Sequence, residues 1–77
     1  MSGLSKHSLT LAGHRTSVTL EDAFWDELKR LAGQRGLSVN QLAAEIDARR
    51  SGAPSPGNLS SAIRLFVLET LRKEAGR

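Results

Sequence analysis

Cysteine is absent from this chain of 77 residues, which removes both a disulfide framework and a thiolate zinc site and gives no reason to expect an oxidising compartment. No apolar run approaches the length needed to span a bilayer, and Met1 to Thr10 lacks the continuous hydrophobic stretch of a secretory signal. A cytoplasmic protein with no membrane partner is therefore expected. Acidic residues are missing from everything before Glu21, while Lys6, His7, His14 and Arg15 all fall there. That stretch carries an unopposed positive field suited to phosphate, with Lys6 and His14 as candidate phosphate contacts, although a basic leader on an ordinary domain would have the same composition. The overall net charge of +3 is by itself a weak pointer to nucleic acid.

Catalytic constellations are missing too. His7 and His14 have no further ligands placed nearby, and the acidic pairs Glu21/Asp22 and Asp26/Glu27 read as solvated helix surface. Neither an enzyme, a metal site nor a cofactor is expected. A chain this short buries a modest share of its surface when it folds alone. With no cysteine to staple it, a second subunit is the remaining remedy.

What the chain does have is one clear strand signal. Over residues 15–20 the side chains alternate, Thr16, Val18 and Leu20 on one face and Arg15, Ser17 and Thr19 on the other, the period of a half-buried strand. Such a strand needs a hydrogen-bonding partner, either the segment before it or a second copy of the chain. Residues 1–7 have the composition of a flexible arm. Ser8 to Ala12 alternates again, with Leu9 and Leu11 apolar, but Gly13-His14 is a weak match to the two-residue turn signals, so a hairpin is not favoured.

From Glu21 the period becomes helical, with Phe24, Leu28, Leu31 and Ala32 on one stripe, Asp26 four residues before Arg30, and Gly36 as the left-handed stop after a helix over 21–35. Trp25, at the stripe's edge, reads as a packing or dimer residue. Ser38 followed by Gln41 matches a capping box, which starts a second helix over 39–50 with Glu45 and Arg49 as a surface pair. Prolines and glycines make 51–57 a linker, and Asn58 caps a third helix over 58–75. Its apolar positions spill beyond one face to Leu65 and Leu68, so it should pack on its own subunit and on a neighbour.

Strand, helix, Gly-x-Ser and helix in that order resemble the ribbon-helix-helix family of small bacterial DNA-binding proteins, of which Arc and MetJ are members. The segments Gly13-His14-Arg15-Thr16-Ser17, Leu20-Glu21-Asp22-Ala23-Phe24-Trp25 and Asn58-Leu59-Ser60-Ser61-Ala62-Ile63-Arg64 are similar to a subgroup with an extra C-terminal helix. The resemblance implies a mainly α chain with one β-strand, intertwined as a homodimer whose two strands form an intermolecular antiparallel ribbon, the core spanning residues 8–50. It implies that the partner is double-stranded DNA, with Arg15, Ser17 and Thr19 facing base edges in the major groove and Ser38, Val39 and Asn40 holding a phosphate at the second helix's N-terminus. Val18, Leu20, Phe24, Trp25, Leu65 and Leu68 would then pack the dimer or a higher oligomer.

Hydroxyls at two of the three reading positions discriminate bases poorly, which leaves Arg15 as the only outward strand residue able to contact guanine bidentately. Glu21 and Asp22 would repel phosphates unless turned away. Beside a transcriptional regulator stand two other readings. One is an antitoxin-like module whose third helix binds a partner protein, and the other is an interaction module that has lost DNA binding.

Overall fold

The computed structural model describes residues 3–11, 13–49 and 59–76. Two strands, β1 (Leu4–Leu11) and β2 (His14–Glu21), are followed by three helices, α1 (Asp22–Gln34), α2 (Val39–Arg49) and α3 (Leu59–Ala75). The expected linker over 51–57 and the Asn58 cap lie outside the described residues.

The strand expected over 15–20 is present within β2, and its partner is the segment before it. β1 and β2 form an antiparallel hairpin in register from Leu4 opposite Glu21 to Leu11 opposite His14. One strand per chain is therefore corrected to two, and residues 4–7, expected in a flexible arm, are part of β1. Two physical causes account for the difference. His14 is itself a strand residue, paired with Leu11, and Gly13 before it sits at φ 81, a left-handed conformation that costs glycine nothing. The start of β1 is also tied down: the Gly3 N–H (3.3 Å) and the Ser5 hydroxyl (2.7 Å) donate to the Asp22 carboxylate, and the Asp22 N–H donates back to the Gly3 carbonyl at 2.8 Å.

Alternation then divides the hairpin into two faces. Leu9, Leu11, Val18 and Leu20 are buried against the helices, and His7 stacks on Trp25 of α1 with ring centroids 3.8 Å apart and planes 6° from parallel. α1 buries Leu28, Leu31 and Ala32, three residues of its predicted stripe, while Phe24 is half-buried against the core. It ends as the sequence indicates. Gly36 has φ 71, its N–H donates to the Gly33 carbonyl (3.1 Å), and the Leu37 N–H reaches the Ala32 carbonyl (2.9 Å), the paired bonds of a Schellman motif.

α2 begins with the capping box. The Gln41 N–H donates to Ser38 Oγ at 3.0 Å, and the Gln41 side-chain oxygen accepts from the Ser38 N–H at 2.8 Å. Ser38→Ala removes one half of this exchange and is expected to lower unfolding free energy by about 1 kcal/mol in urea titration, with Ser38→Asn close to neutral.

Leu42, Ala43 and Ile46 of α2 meet Leu59, Ile63 and Val67 of α3 in one contiguous core, so the third helix closes the same hydrophobic centre as the hairpin. Two surface pairings differ from the sequence reading. Arg30 bonds Glu27 (2.8 Å) and Glu74 of α3 (3.1 Å) instead of Asp26. Glu45 meets Arg35 at 3.5 Å, leaving Arg49 over the Phe66 ring, 5.8 Å from its centroid. Spacing within one helix cannot anticipate such choices, because the rival partners come from other elements.

Candidate nucleic-acid interface

The hairpin's second face is turned away from the helices and carries Lys6, Ser8 and Thr10 from β1 and Arg15, Ser17 and Thr19 from β2, all exposed. Register places them as three cross-strand pairs: Lys6 with Thr19, Ser8 with Ser17, and Thr10 with Arg15. The Thr10 N–H donates away from β2, to Asn40 Oδ1 at 3.3 Å. Its pair with Arg15 is thus of the kind not bonded through the backbone, and by alternation so are the other two. Opposed side chains stand closest in such pairs. The outcome is a compact plate of four hydroxyls with a cation towards each end.

Both acids that threatened this plate are turned aside. Glu21, at the end of β2, accepts from Arg64 of α3 at 2.9 Å, and the Arg64 guanidinium holds its carboxyl below the usual carboxylate range, with a backbone bond adding to the effect. A lowered carboxyl pKa contributes stability at neutral pH that is lost as the pH falls through the lowered value. Asp22 is occupied by Gly3 and Ser5.

The start of α2 lies beside the plate, because Asn40 bonds the backbone of Thr10, the residue opposite Arg15. Ser38 Oγ serves the Gln41 N–H, so the N–H groups of Val39 and Asn40 remain at the open, positive end of the helix. Ser38 and Asn40 are exposed and Val39 is half-buried. This N-terminus and the Thr10/Arg15 end of the ribbon are therefore neighbours.

A family model described as a ribbon-helix-helix domain matches residues 4–71. The chain belongs to the ribbon-helix-helix family. The match begins with β1 and runs into α3, so the hairpin and most of the third helix are inside the domain. No match to a curated protein or to a solved structure was found. Ribbon-helix-helix domains in general belong to DNA-binding regulators that dimerise.

Within this ribbon-helix-helix chain the remaining sequence-selected residues fall in different places. Lys6 is on the outward face, whereas His14 is exposed at the hairpin tip and alternates with the opposite face. Val18 and Leu20, expected at a dimer contact, are 2% and 0% exposed inside the chain's own core. Trp25 is half-buried and held by His7. Leu65 and Leu68 are 58% and 47% exposed, as their position off the inner face of α3 requires. Ser8 and Thr10 were not singled out in the sequence. The signal was present in the alternation of Ser8 to Ala12, where Leu9 and Leu11 inward imply Ser8 and Thr10 outward. Among the described residues no helix is long and apolar enough to cross a membrane, and no group of three His, Cys, Asp or Glu could hold a metal ion.

Proposed function

We propose that the chain is a homodimeric, cytoplasmic DNA-binding regulator that inserts its β-ribbon into the major groove. The observation that carries this reading is the outward plate, with Lys6, Arg15 and four hydroxyls exposed on one face and the adjoining acids engaged elsewhere. A two-stranded ribbon fits the major groove, and hydroxyls and a guanidinium are groups that bond base edges there. Lys6, with the N-terminus of α2 at Ser38, Val39 and Asn40, provides phosphate contacts on the flanks, and His14 adds one at the tip.

The dimer forms through the outer face of α3, where Leu65 and Leu68 are the exposed apolar residues. The same face is what an antitoxin-like module would offer a partner protein, and recovery of one stoichiometric small protein with the purified chain would favour that second reading. The DNA reading is tested by retardation of duplex DNA across a salt series, followed by selection from a random duplex pool. Affinity should fall linearly on logarithmic axes, by roughly 0.9 decades per decade of salt for each phosphate contacted, and the selected sites should form inverted repeats. Retardation that ignores salt would sink it.

A further inference from the structure

We propose that two copies of the chain meet along the outer face of α3 as an antiparallel helix pair, in which Glu69 of each copy forms an ion pair with Arg72 of the other. This rests on the reading of that face as the contact between copies and specifies how the contact is built.

The apolar pattern of α3 is the first support. Leu59, Ile63 and Val67 fill the core, while Leu65, Leu68 and Arg72, spaced three and four residues apart, make a second stripe on the opposite side of the helix. Among the described residues three large hydrophobic side chains are exposed, and two of them are in this stripe. Charge is the second support. Glu69, Arg72 and Lys73 adjoin the leucines and line an open recess of about 410 Å³. All three are exposed, and none has an ion-pair partner among the described residues, although Glu69 and Arg72 are three residues apart on one helix. Glu74, by contrast, is held by Arg30 of α1 at 3.1 Å.

A face with an acid followed by bases is complementary to itself when the second helix runs the other way. Turned end for end, it sets Glu69 against Arg72 of the other copy twice, about a two-fold axis level with the peptide between Thr70 and Leu71. Run parallel, it would set Arg72, which lies in the stripe itself, against Arg72. In the antiparallel register Leu65 and Leu68 reach the last turn of the other helix, where the Arg72 stem and the small, exposed Ala75 and Gly76 give them an apolar seat. The contact uses neither strand, so the edge of β2 that the two-stranded sheet leaves unpaired stays open to a further copy.

Charge reversals in the full-length chain test this by sedimentation equilibrium from about 1 μM to about 1 mM, a range suited to an interface of one helix per copy. Glu69→Arg and Arg72→Glu should each shift association to roughly tenfold higher concentration, since symmetry turns two attractive pairs into two repulsive ones. The Glu69→Arg/Arg72→Glu double variant should return to within roughly threefold of wild type. Single-cysteine variants fix the direction, because the chain has no cysteine of its own. An oxidised mixture of the Glu69→Cys and Arg72→Cys proteins should give the mixed disulfide as its main product, whereas Leu65→Cys should not cross-link to itself, its two copies lying about 16 Å apart along the helix axis. Ready cross-linking of Leu65→Cys to itself, or association that Leu68→Asp loosens but the single reversals do not, would overturn the antiparallel pairing. Association that Leu68→Asp also leaves intact, or wild-type chains that stay single throughout, would instead overturn the reading of α3 as the contact between copies.

Discussion

Leu20→Ala should lower the free energy of unfolding by about 2–5 kcal/mol, the range for truncating a buried leucine when its surroundings collapse only in part. Leu20 is 0% exposed and lies in one cluster with Leu28, Leu42 and Ile63, so the cavity would open where the ribbon meets all three helices. A domain of 77 residues has roughly 4–12 kcal/mol to lose at ordinary stability per residue, so the variant should be largely unfolded at temperatures the wild type tolerates. Urea titration at two protein concentrations checks the origin of the loss as well as its size. Contacts made within one chain give a destabilisation that does not change with concentration, whereas contacts made across an intertwined dimer would make the midpoint itself concentration-dependent. Leu65→Ala is the control: its side chain is 58% exposed, and its effect on the unfolding of the single chain should stay within about 0.5 kcal/mol.

Arg15→Ala is expected to weaken binding to a selected duplex by about 1–3 kcal/mol, roughly 5- to 150-fold, and to relax the preference for guanine at the position it contacts. The size follows from the company Arg15 keeps. Its outward neighbours on β2 are hydroxyls, and of the six side chains of the plate only its guanidinium presents a rigid planar fork of donors. Lys6→Ala should behave differently, weakening all duplexes alike and reducing the salt slope by about one, as loss of a phosphate contact does. Retardation of selected and scrambled duplexes over a salt series separates the two patterns. An Arg15→Ala protein that keeps both its affinity and its preference would remove the main source of specificity from the proposed interface. Arg15 has no ion-pair partner among the described residues in the folded chain, so a loss of binding on its removal would not be a by-product of unfolding.

Local chemistry explains which parts of this protein could be read without its structure. The capping box at Ser38 and Gln41, the glycine stop at Gly36 and the alternation of Thr16, Val18 and Leu20 are each fixed by residues within a few positions of one another, and each is present in the fold. The family order of strand, helix and helix is a string of such local signals, which is why residues 4–71 carry it. Arg15, Ser17 and Thr19 share the exposed face that their alternation predicts.

Long-range competition decided the rest. That β2 pairs with the preceding segment depends on the burial that Leu9 and Leu11 gain in the core against α2, and no pattern confined to residues 8–12 contains that gain. The hold of Asp22 on Gly3 and Ser5, 19 and 17 residues away, and of Arg64 on Glu21, 43 residues away, turned two acids that looked hostile to phosphate into supports of the ribbon. The sequence by itself determined β2 with its outward side chains and the three helices, because backbone conformation and amphipathic period are set by near neighbours. Only the tertiary structure decided that β1 pairs with β2 and places Ser8 and Thr10 opposite Ser17 and Arg15, because strand partners are chosen by the core they bury together.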